Sequence, residues 1–406
     1  MRILMLAPQP FMEERGVPFA VYHHIKALLA MGFEVDLVTY HLGKAVSMPG
    51  LTIHRIPALP WIKRVKVGPS LAKFPLDFLL FCVAFWRMCR KRYTYLHTHE
   101  EAGLLGVILH AIFGVKHLYY MHSDLSQQIV SSEFIENPLL VRLVKAVQTF
   151  MVRRADAVIA VCPDIEVSAC EMAKDTPIYL IENSAVDEGL PEPHPADIAR
   201  LRASLPLSNG PLLLYTGTLE SYQGLDLLLQ SMPHIHAAMP SVRCLIVGGQ
   251  QERIALLQNQ ARQLGVADVV QFIGQRPLAE IPLYMAIADV LVSPRSKGTN
   301  TPLKLYTYLR SGKPILATAI HSQTQVLSPA IAMLVPPTPE GLAQGAFQLL
   351  HHPESASLMG LRGQQFADEH YSWPVFLERA TQVQREFASE SIVPLSDESE
   401  QEMAQV

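Results

Sequence analysis

The chain has 406 residues, of which 49% are hydrophobic and 17% charged, and its formal net charge is −4. This length and apolar content predict about two domains with sizeable cores and exclude a disordered chain. The small negative charge excludes a general electrostatic attraction for nucleic acid. Five cysteines without a CxxC pair are typical of reduced thiols in a cytosolic protein.

The first half of the chain alternates short runs of Val, Ile and Leu with amphipathic segments, the pattern of a parallel sheet built from βαβ units. The run 3–7 ends at a turn and is too short for a signal peptide, so it predicts a buried strand. A helix is predicted over 21–31, ended by Gly32. The other strands of this half are predicted at 34–39, 52–56, 95–98, 117–121, 157–160 and 178–181.

A second series of strands follows the proline-rich segment 191–195, which we interpret as a linker because prolines continue neither a helix nor a central strand. Two doubly wound α/β domains are therefore expected, residues 1–190 and 191–370, with ligand sites at the carboxyl ends of their strands. The acidic, Ser-rich residues 388–406 predict a disordered tail. The strands of the second series are predicted at 212–215, 243–247, 269–273, 290–292, 315–317 and 332–335.

Six short motifs of the chain occur in an order that resembles the family 4 glycosyltransferases, and the resemblance covers nearly the whole chain except the tail. The family resemblance implies two facing Rossmann-like domains (the GT-B fold) and retaining sugar transfer from a nucleotide sugar, without a metal or another cofactor. It also implies that a last helix, 371–387, returns to the first domain. The motifs are Arg15-Gly16-Val17, 155–162, 181–187, Gly217-Thr218-Leu219 with 223–226, 245–249 and 293–314.

The donor site that this resemblance implies lacks its usual charges. In the family an Arg and a Lys contact the diphosphate, and the matching positions here are the neutral Thr218 and Gln223. A Glu-x7-Glu pair contacts sugar and ribose hydroxyls in the family, and here Thr299 and Thr307 match it. Because the loss of one such group commonly lowers a rate by about 10²–10³, the chain either compensates for these departures or has lost turnover.

Cations in a later loop offer the compensation. Arg295 and Lys297 lie in the segment 293–298 after a predicted strand, and Lys304 follows shortly afterwards. We therefore predict that positive charge has moved from the first loop to this one and neutralises the leaving diphosphate. The alternative is that the three side chains are solvated loop cations.

Polar residues around these cations predict further contacts with the donor. Asn300 and Thr301 precede a helix predicted over 303–311, whose free N–H groups are expected to hold phosphate. Gly217 is expected to allow close approach of the donor, although simple turn geometry explains a glycine there equally well.

Acceptor residues are predicted at two strand ends of the first domain. His122 follows the strand 117–121 and resembles the family's sugar-contacting His; it is expected to bind a sugar hydroxyl or assist the acceptor proton, with a helix-capping role as the alternative. Asp124 is an acceptor contact or a helix N-cap. Glu100 and Glu101 are expected to meet acceptor hydroxyls, with acids at a helix N-terminus as the alternative.

The turn after the first strand holds Arg15 and Gly16, which are predicted to receive an anionic group of the acceptor. No GxGxxG follows this strand, so an NAD-dependent enzyme is disfavoured. His97 and His99 share one face of a strand, but without a third ligand at standard spacing we expect no metal site.

The region 61–92 predicts weak docking on an anionic membrane. It holds eight Lys or Arg residues against one acid, Asp77, around an apolar run that is too short to span a bilayer, and Trp61 and Trp86 suit an interface. Each basic residue near such a surface contributes about 1 kcal/mol; the alternative is a core helix with charged ends. The basic residues are Lys63, Arg64, Lys66, Lys73, Arg87, Arg90, Lys91 and Arg92.

These observations favour a cytoplasmic glycosyltransferase, peripheral on the inner face of the membrane, that acts on a membrane lipid or lipid-linked glycan. The region around His99-Glu100-Glu101 and His122 looks somewhat like the phosphatidylinositol mannosyltransferases. Two alternatives stay open: a non-catalytic partner that has kept the fold, and a nucleotide-sugar epimerase or phosphorylase on the same scaffold.

Overall fold

The protein, described from a computed structural model, divides into two compact units. The structure describes residues 1–13, 16–65, 70, 72–127, 137–184, 192–205 and 210–388. Unit 1 comprises Met1–Asn183 and Pro374–Val406, and unit 2 comprises Ser184–Trp373. The division falls between Asn183 and Ser184, whereas the sequence analysis placed it after residue 190. Part of the predicted linker, and the predicted tail beyond residue 388, lie outside the described residues.

Unit 1 is built on seven strands: β1 (Arg2–Ala7), β2 (Glu34–Thr39), β3 (Leu51–Arg55), β4 (Tyr95–His99), β5 (His117–Met121), β6 (Ala157–Ala160) and β7 (Ile178–Leu180). All are parallel, in the order β3-β2-β1-β4-β5-β6-β7. Strands β4, β5 and β6 are buried along their whole length, which explains their nearly continuous apolar sequence. The order reverses between β1 and β4, where doubly wound sheets bind ligands.

The helices of the first half cover this sheet: α1 (Gly16–Ala30), α2 (Lys73–Arg90), α3 (Ala102–Phe113), α4 (Pro138–Arg154) and α5 (Pro163–Met172). Helix α2 buries a stripe of residues three or four apart, Leu76, Leu80, Ala84 and Met88, as an amphipathic helix does. Helix α4 begins at Pro138, and the Asn137 side chain accepts a hydrogen bond from its first turn.

Unit 2 contains six parallel strands: β8 (Leu212–Thr216), β9 (Arg243–Val247), β10 (Val270–Gly274), β11 (Val290–Ser293), β12 (Ile315–Thr318) and β13 (Met333–Val335). Their order is β10-β9-β8-β11-β12-β13. Alternate residues of β8 enter two apolar cores, Leu213 and Tyr215 in one, Leu212 and Leu214 in the other. The predicted pair of doubly wound Rossmann-like sheets is confirmed, and the reversal between β8 and β11 marks the expected ligand edge of unit 2.

Eight helices of unit 2 flank its sheet in the described part of the chain: α6 (Pro195–Ser204), α7 (Leu225–Ala238), α8 (Gln251–Gln263), α9 (Ile281–Ile287), α10 (Lys304–Arg310), α11 (His321–Thr324), α12 (Pro339–His351) and α13 (Pro353–His370). Short 3-10 turns at Ser221–Gln223 and Leu278–Glu280 lie between them.

The last helix, α14 (Trp373–Ala388), packs within unit 1 although it follows unit 2 in the chain. The Tyr95 hydroxyl donates to Gln384 Oε1 at 2.6 Å, and the Phe387 ring meets that of Tyr95 edge-on at 5.3 Å. Phe376 meets His24 in the same geometry. Within the described ranges, no helix combines the length and apolarity that crossing a membrane requires.

Candidate active site

In unit 2 the loops that follow β8 and β11 pack directly on one another. Gly224 has φ 73°, and a Cβ at this position would overlap the carbonyl oxygen of Pro294. The N–H of Ser296 donates to the carbonyl oxygen of Tyr222 at 3.0 Å, which ties the two loops together. Only a residue without a side chain permits this backbone conformation and this approach. The junction therefore brings the loop of the missing charges against the loop of the predicted cations.

The ammonium group of Lys304 lies beside Gly217 at this junction. A Cβ on Gly217 would be 3.3 Å from Lys304 Nζ, and Nζ lies 3.8 Å from the ring centroid of Tyr215. Although the residue as a whole is only half-buried, its Nζ is buried and has no hydrogen-bond partner. Burial lowers the pKa of Lys304 well below its usual range, and the charge of Arg295 lowers it further. A buried ammonium without an acceptor is costly unless an anionic ligand supplies one.

Arg295 is held rigidly next to this ammonium group. It is only 5% exposed, its Nε donates to the carbonyl oxygen of Lys297 at 2.8 Å, and its Nη2 donates to Asn300 Oδ1 at 3.0 Å. Its guanidinium also lies 5.3 Å from the ring centroid of Tyr222. Arg295 and the Nζ of Lys304 are buried, which does not fit solvated loop cations, whereas the Lys297 side chain is exposed on the same loop.

Several of the neutral residues predicted to contact the donor also lie buried at the junction. Gln223 Oε1 and Thr301 Oγ1 are buried without a hydrogen-bond partner. The carbonyl oxygen of Thr218 accepts a hydrogen bond from Tyr215 at 2.5 Å, and that of Thr299 accepts one from a glutamine side chain. Thr307 is buried within α10. Unpartnered polar atoms at such a junction indicate a place for a polar ligand.

The helix whose free N–H groups are expected to hold phosphate is shorter than the sequence analysis predicted. The helix predicted over 303–311 covers only seven residues, Lys304–Arg310. Its N-cap is the residue just before Lys304, so Asn300 and Thr301 lie outside its first turn. The N–H of Leu305 already donates to a backbone carbonyl oxygen at 3.0 Å. Asn300 instead positions Arg295.

In unit 1 four imidazoles lie next to one another in the core, and we call them the histidine column: His24 of α1, His97 and His99 of β4, and His122 just after β5. His97 lies 4.7 Å from His99, and His99 lies 5.2 Å from His122, between nearly parallel ring planes. His24 meets His97 edge-on at 4.8 Å. His99 Nδ1 and His122 Nε2 are 2.9 Å apart and share a hydrogen bond.

The histidine column is uncharged at neutral pH. Burial lowers the pKa of His122 to about 3 and the pKa values of His97 and His99 well below their usual range. The ring of Tyr120 stacks on His122 at 4.2 Å. In the part of the chain that the structure describes, no group of three or more His, Cys, Asp or Glu side chains is arranged to hold a metal ion.

Glu100 follows β4 directly and has a strained conformation. Its φ of 50° lies in the left-handed region, which is uncommon for a residue other than glycine and concentrates at functional sites. Its carboxyl group is buried, and the Ser123 hydroxyl donates to its oxygens at 3.0 and 3.2 Å. Burial raises the pKa of Glu100 to about 8, helped by the charge of Glu101. Glu100 is therefore largely protonated at neutral pH and is able to donate a hydrogen bond.

Glu101 is engaged with α2 rather than left free for an acceptor. Its carboxylate pairs with Lys73 Nζ at 2.5 Å. Nearby, the Tyr40 hydroxyl donates to Asp77 at 2.5 Å, and burial together with the charge of Glu101 raises the pKa of Asp77 to about 7. The predicted acceptor residue thus connects the end of β4 to the predicted membrane segment.

The other predicted acceptor residues are placed less favourably. Asp124 accepts five hydrogen bonds, from the backbone and side chains of Ser126 and Gln127 and from the Ser168 hydroxyl, which fits the N-cap alternative. Gly16 is exposed at the start of α1. Arg15 lies outside the described residues.

Replacing Glu100 with glutamine is expected to flatten the dependence of stability on pH. The folded-state pKa is raised from 4.5 to about 8, so the stabilisation is complete below pH 4.5 and is lost as the pH rises through 8. The wild type is expected to lose about 2–3 kcal/mol of unfolding free energy between pH 6 and pH 9 that Glu100→Gln does not lose. Urea unfolding at both pH values measures this; exposed Glu378→Gln is the control. Equal slopes in wild type and Glu100→Gln would contradict the assignment.

Tyr215, Tyr222 and Ser123 were missed by the sequence analysis, although their side chains contact Lys304, Arg295 and Glu100. Tyr215 lies two residues before Gly217, but an aromatic residue at the end of a strand is usually a core residue. No pattern in the sequence distinguishes the two roles. His99 was considered as a metal ligand and as part of the stretch His99-Glu100-Glu101, but not as a partner of His122.

Two family models match most of the chain. The model described as "Glycosyl transferase 4-like domain" matches residues 15–172, and the model described as "Glycosyl transferases group 1" matches residues 197–366. The first match lies in unit 1 and the second in unit 2.

Curated relatives and solved structures agree with these models. A GDP-mannose-dependent alpha-(1-6)-phosphatidylinositol monomannoside mannosyltransferase of Mycolicibacterium smegmatis is 29% identical over 45% of this chain and 49% of its own, so the chain spans about half the length of that relative. A D-inositol 3-phosphate glycosyltransferase of Segniliparus rotundus is 25% identical over 80% of this chain and 73% of its own. The structure of sucrose-phosphate synthase from Thermosynechococcus elongatus superposes with a TM-score of 0.79 at 22% identity, covering 95% and 98% of the two chains, and shows the same fold.

Proposed function

Because the chain belongs to the glycosyltransferases that these two models describe, we propose that unit 2 binds a nucleotide sugar and that the sugar passes, with retention and without a metal ion, to a membrane lipid or lipid-linked glycan. The observation that carries the proposal is the buried, unpartnered ammonium of Lys304 beside Gly217. A relative whose name states that it depends on GDP-mannose supports a nucleotide-sugar donor.

The negative charge that develops on the leaving diphosphate supports the catalytic roles that we assign to Lys304 and Arg295. When the bond between the sugar and the diphosphate breaks, its electron pair stays on a phosphate oxygen. Preorganised cations at that oxygen are typically the largest catalytic contribution. Arg295, and Lys304 once an anionic ligand stabilises its protonated form, supply two positive groups at the loop junction where Thr218 and Gln223 supply none. These side chains take the part that a divalent cation has in other transferases, which supports transfer without a metal.

Incubation with UDP-glucose, GDP-mannose or ADP-glucose and a lipid extract tests the transfer. We expect release of one nucleoside diphosphate together with a glycosylated lipid. The anomeric configuration of the product, read by NMR, tests retention. Release that needs a lipid supports the lipid acceptor, release with inositol phosphate alone contradicts it, and no release with any pair contradicts the whole proposal.

The membrane part of the proposal rests on apolar side chains that α2 and the segment before it leave in water. Trp61 is 74% exposed and Phe78 66%, and Phe74, Phe85 and Trp86 are exposed as well. Arg90 stacks on Trp86 at 4.5 Å. Exposed apolar residues of this size mark interaction surfaces, and aromatic and basic residues together suit a membrane interface.

The structure reduces the number of cations available for docking. Lys73 pairs with Glu101, and Arg87 and Lys91 pair with Asp36, so these three stabilise unit 1. Lys66 lies outside the described residues. The exposed members of the predicted set are Lys63, Arg64, Arg90 and Arg92.

Helices α3 and α4 extend this surface in a way that the sequence analysis did not predict. Helix α2 packs beside α3, and α3 beside α4. Helix α4 has no acidic residue and presents basic side chains on one open face. The exposed apolar residues of the two helices are Ile108, Ile112, Leu139, Leu140, Leu143 and Phe150, and the basic residues on that face of α4 are Arg142, Lys145 and Arg153.

Vesicle sedimentation tests docking. The wild type is expected to bind vesicles that contain phosphatidylserine and to release them in high salt. The double variant Phe78→Ser, Trp86→Ser should bind about tenfold more weakly, since it removes two interfacial aromatic side chains. The matched control is Leu358→Ser, Leu361→Ser, at two exposed leucines of α13. Equal binding to phosphatidylcholine vesicles, or an equal loss in the control, would contradict the membrane surface.

A further inference from the structure

The hydrogen bond inside the histidine column has a direction that the surroundings determine. His99 Nδ1 and His122 Nε2 are 2.9 Å apart, and one proton lies between them. Because both rings are neutral, each carries a single N–H. Either His99 donates from Nδ1, or His122 donates from Nε2.

The second nitrogen of His99 separates these two cases. His99 Nε2 is buried and has no hydrogen-bond partner. If His122 donated, the proton of His99 would sit on Nε2 as a buried N–H without an acceptor, an arrangement that is rare in folded proteins. If His99 donates, its Nε2 carries only a lone pair. A buried lone pair without a donor is less unfavourable than a buried N–H without an acceptor.

We propose that His99 is a positioning residue that donates from Nδ1 to His122 Nε2 and so fixes His122 with its proton on Nδ1. His122 is the member of the column closest to the surface, since it keeps 2% exposure while His24, His97 and His99 have none. Its remaining nitrogen, Nδ1, then offers an N–H to a substrate oxygen. His122 thus acts as a hydrogen-bond donor to the sugar or acceptor and not as a base.

This inference assigns a role within the proposed function, but its first test needs no substrate. NMR of the protein labelled with ¹⁵N-histidine reports which nitrogen of His122 carries the proton, and we expect Nδ1. A wild-type spectrum with the proton of His122 on Nε2 would overturn the inference, whether or not the protein transfers sugar.

Two variants of His99 carry the test to activity. His99→Phe keeps a ring of similar size but removes the donor, so the tautomers of His122 should mix and kcat should fall about tenfold, as expected for one lost hydrogen bond, with the KM for the donor nearly unchanged. His99→Asn places an amide near the position of Nδ1 and should restore both the Nδ1–H form and kcat. The control is His97→Phe, at a stacked position of the same column without a hydrogen bond.

The outcomes separate the inference from the proposed function. If the wild type transfers no sugar but shows the Nδ1–H form, the function fails and the assignment of His99 stands. If the wild type is active and His99→Phe loses no more than His97→Phe, or if His99→Asn restores nothing, His99 only fills space and the inference fails.

Discussion

Replacing Lys304 with methionine is expected to lower kcat/KM for the nucleotide sugar by about 10²–10³, the usual effect of removing one preorganised group from a developing negative charge. Methionine fills a similar volume, so the Tyr215 ring keeps a neighbour. The unfolding free energy without ligand should stay the same or rise, because the ammonium is buried without a partner and its pKa is lowered by that burial. Steady-state kinetics and urea unfolding of the same preparation measure both quantities.

Lys313→Met is the matched control for this variant. Lys313 Nζ donates to the carbonyl oxygens of Ala286 and Ala288 at 2.9 and 2.8 Å, so its hydrogen bonds are already made within unit 2. The Lys313→Met variant should lose about 1–3 kcal/mol of unfolding free energy and keep the kcat/KM of the wild type. Loss of stability without loss of activity in Lys304→Met would mean that Lys304 is a structural residue.

Gly224→Ala is expected to separate the two loops of the donor junction and to reduce both stability and donor binding. The added Cβ meets the carbonyl oxygen of Pro294, which is backbone and cannot move aside as a flexible side chain does. We expect a loss of about 3 kcal/mol and a donor KM raised at least about tenfold, because Gln223 and Lys304 no longer face one ligand.

Gly265→Ala separates the effect of the clash from that of backbone strain. Gly265 has φ 70°, close to the φ of 73° at Gly224, but a Cβ there meets nothing within 4 Å. It should lose about 1–2 kcal/mol from the left-handed conformation alone and leave the donor KM unchanged. A similar result for both variants would show that the loop junction is not needed for binding.

The strands, and the positions of the neutral and the basic residues in the two loops, were predictable because both follow from local sequence. Parallel strands buried on both faces read as apolar runs, and the neutral Thr218 and Gln223 were visible beside the later Arg295 and Lys304. The absence of a partner for Lys304 was not predictable, since it depends on how the two loops pack.

Neither the histidine column nor the short length of helix α10 could be predicted from the sequence. The register of the sheet places His99 of β4 opposite Tyr120 of β5 and so brings His122 against His99. The spacing of residues along the chain does not determine the register between two strands that are distant in sequence. The helix predicted over 303–311 covers only Lys304–Arg310, and the side chain of Asn300, predicted as a donor contact, is bound to Arg295.

A structure of the protein with UDP, GDP or ADP bound tests the central claim most directly. We predict that the diphosphate lies in unit 2 with one of its oxygens about 3 Å from Lys304 Nζ and with the Arg295 guanidinium next to it. A diphosphate bound in unit 2 beyond the reach of both side chains would contradict the account.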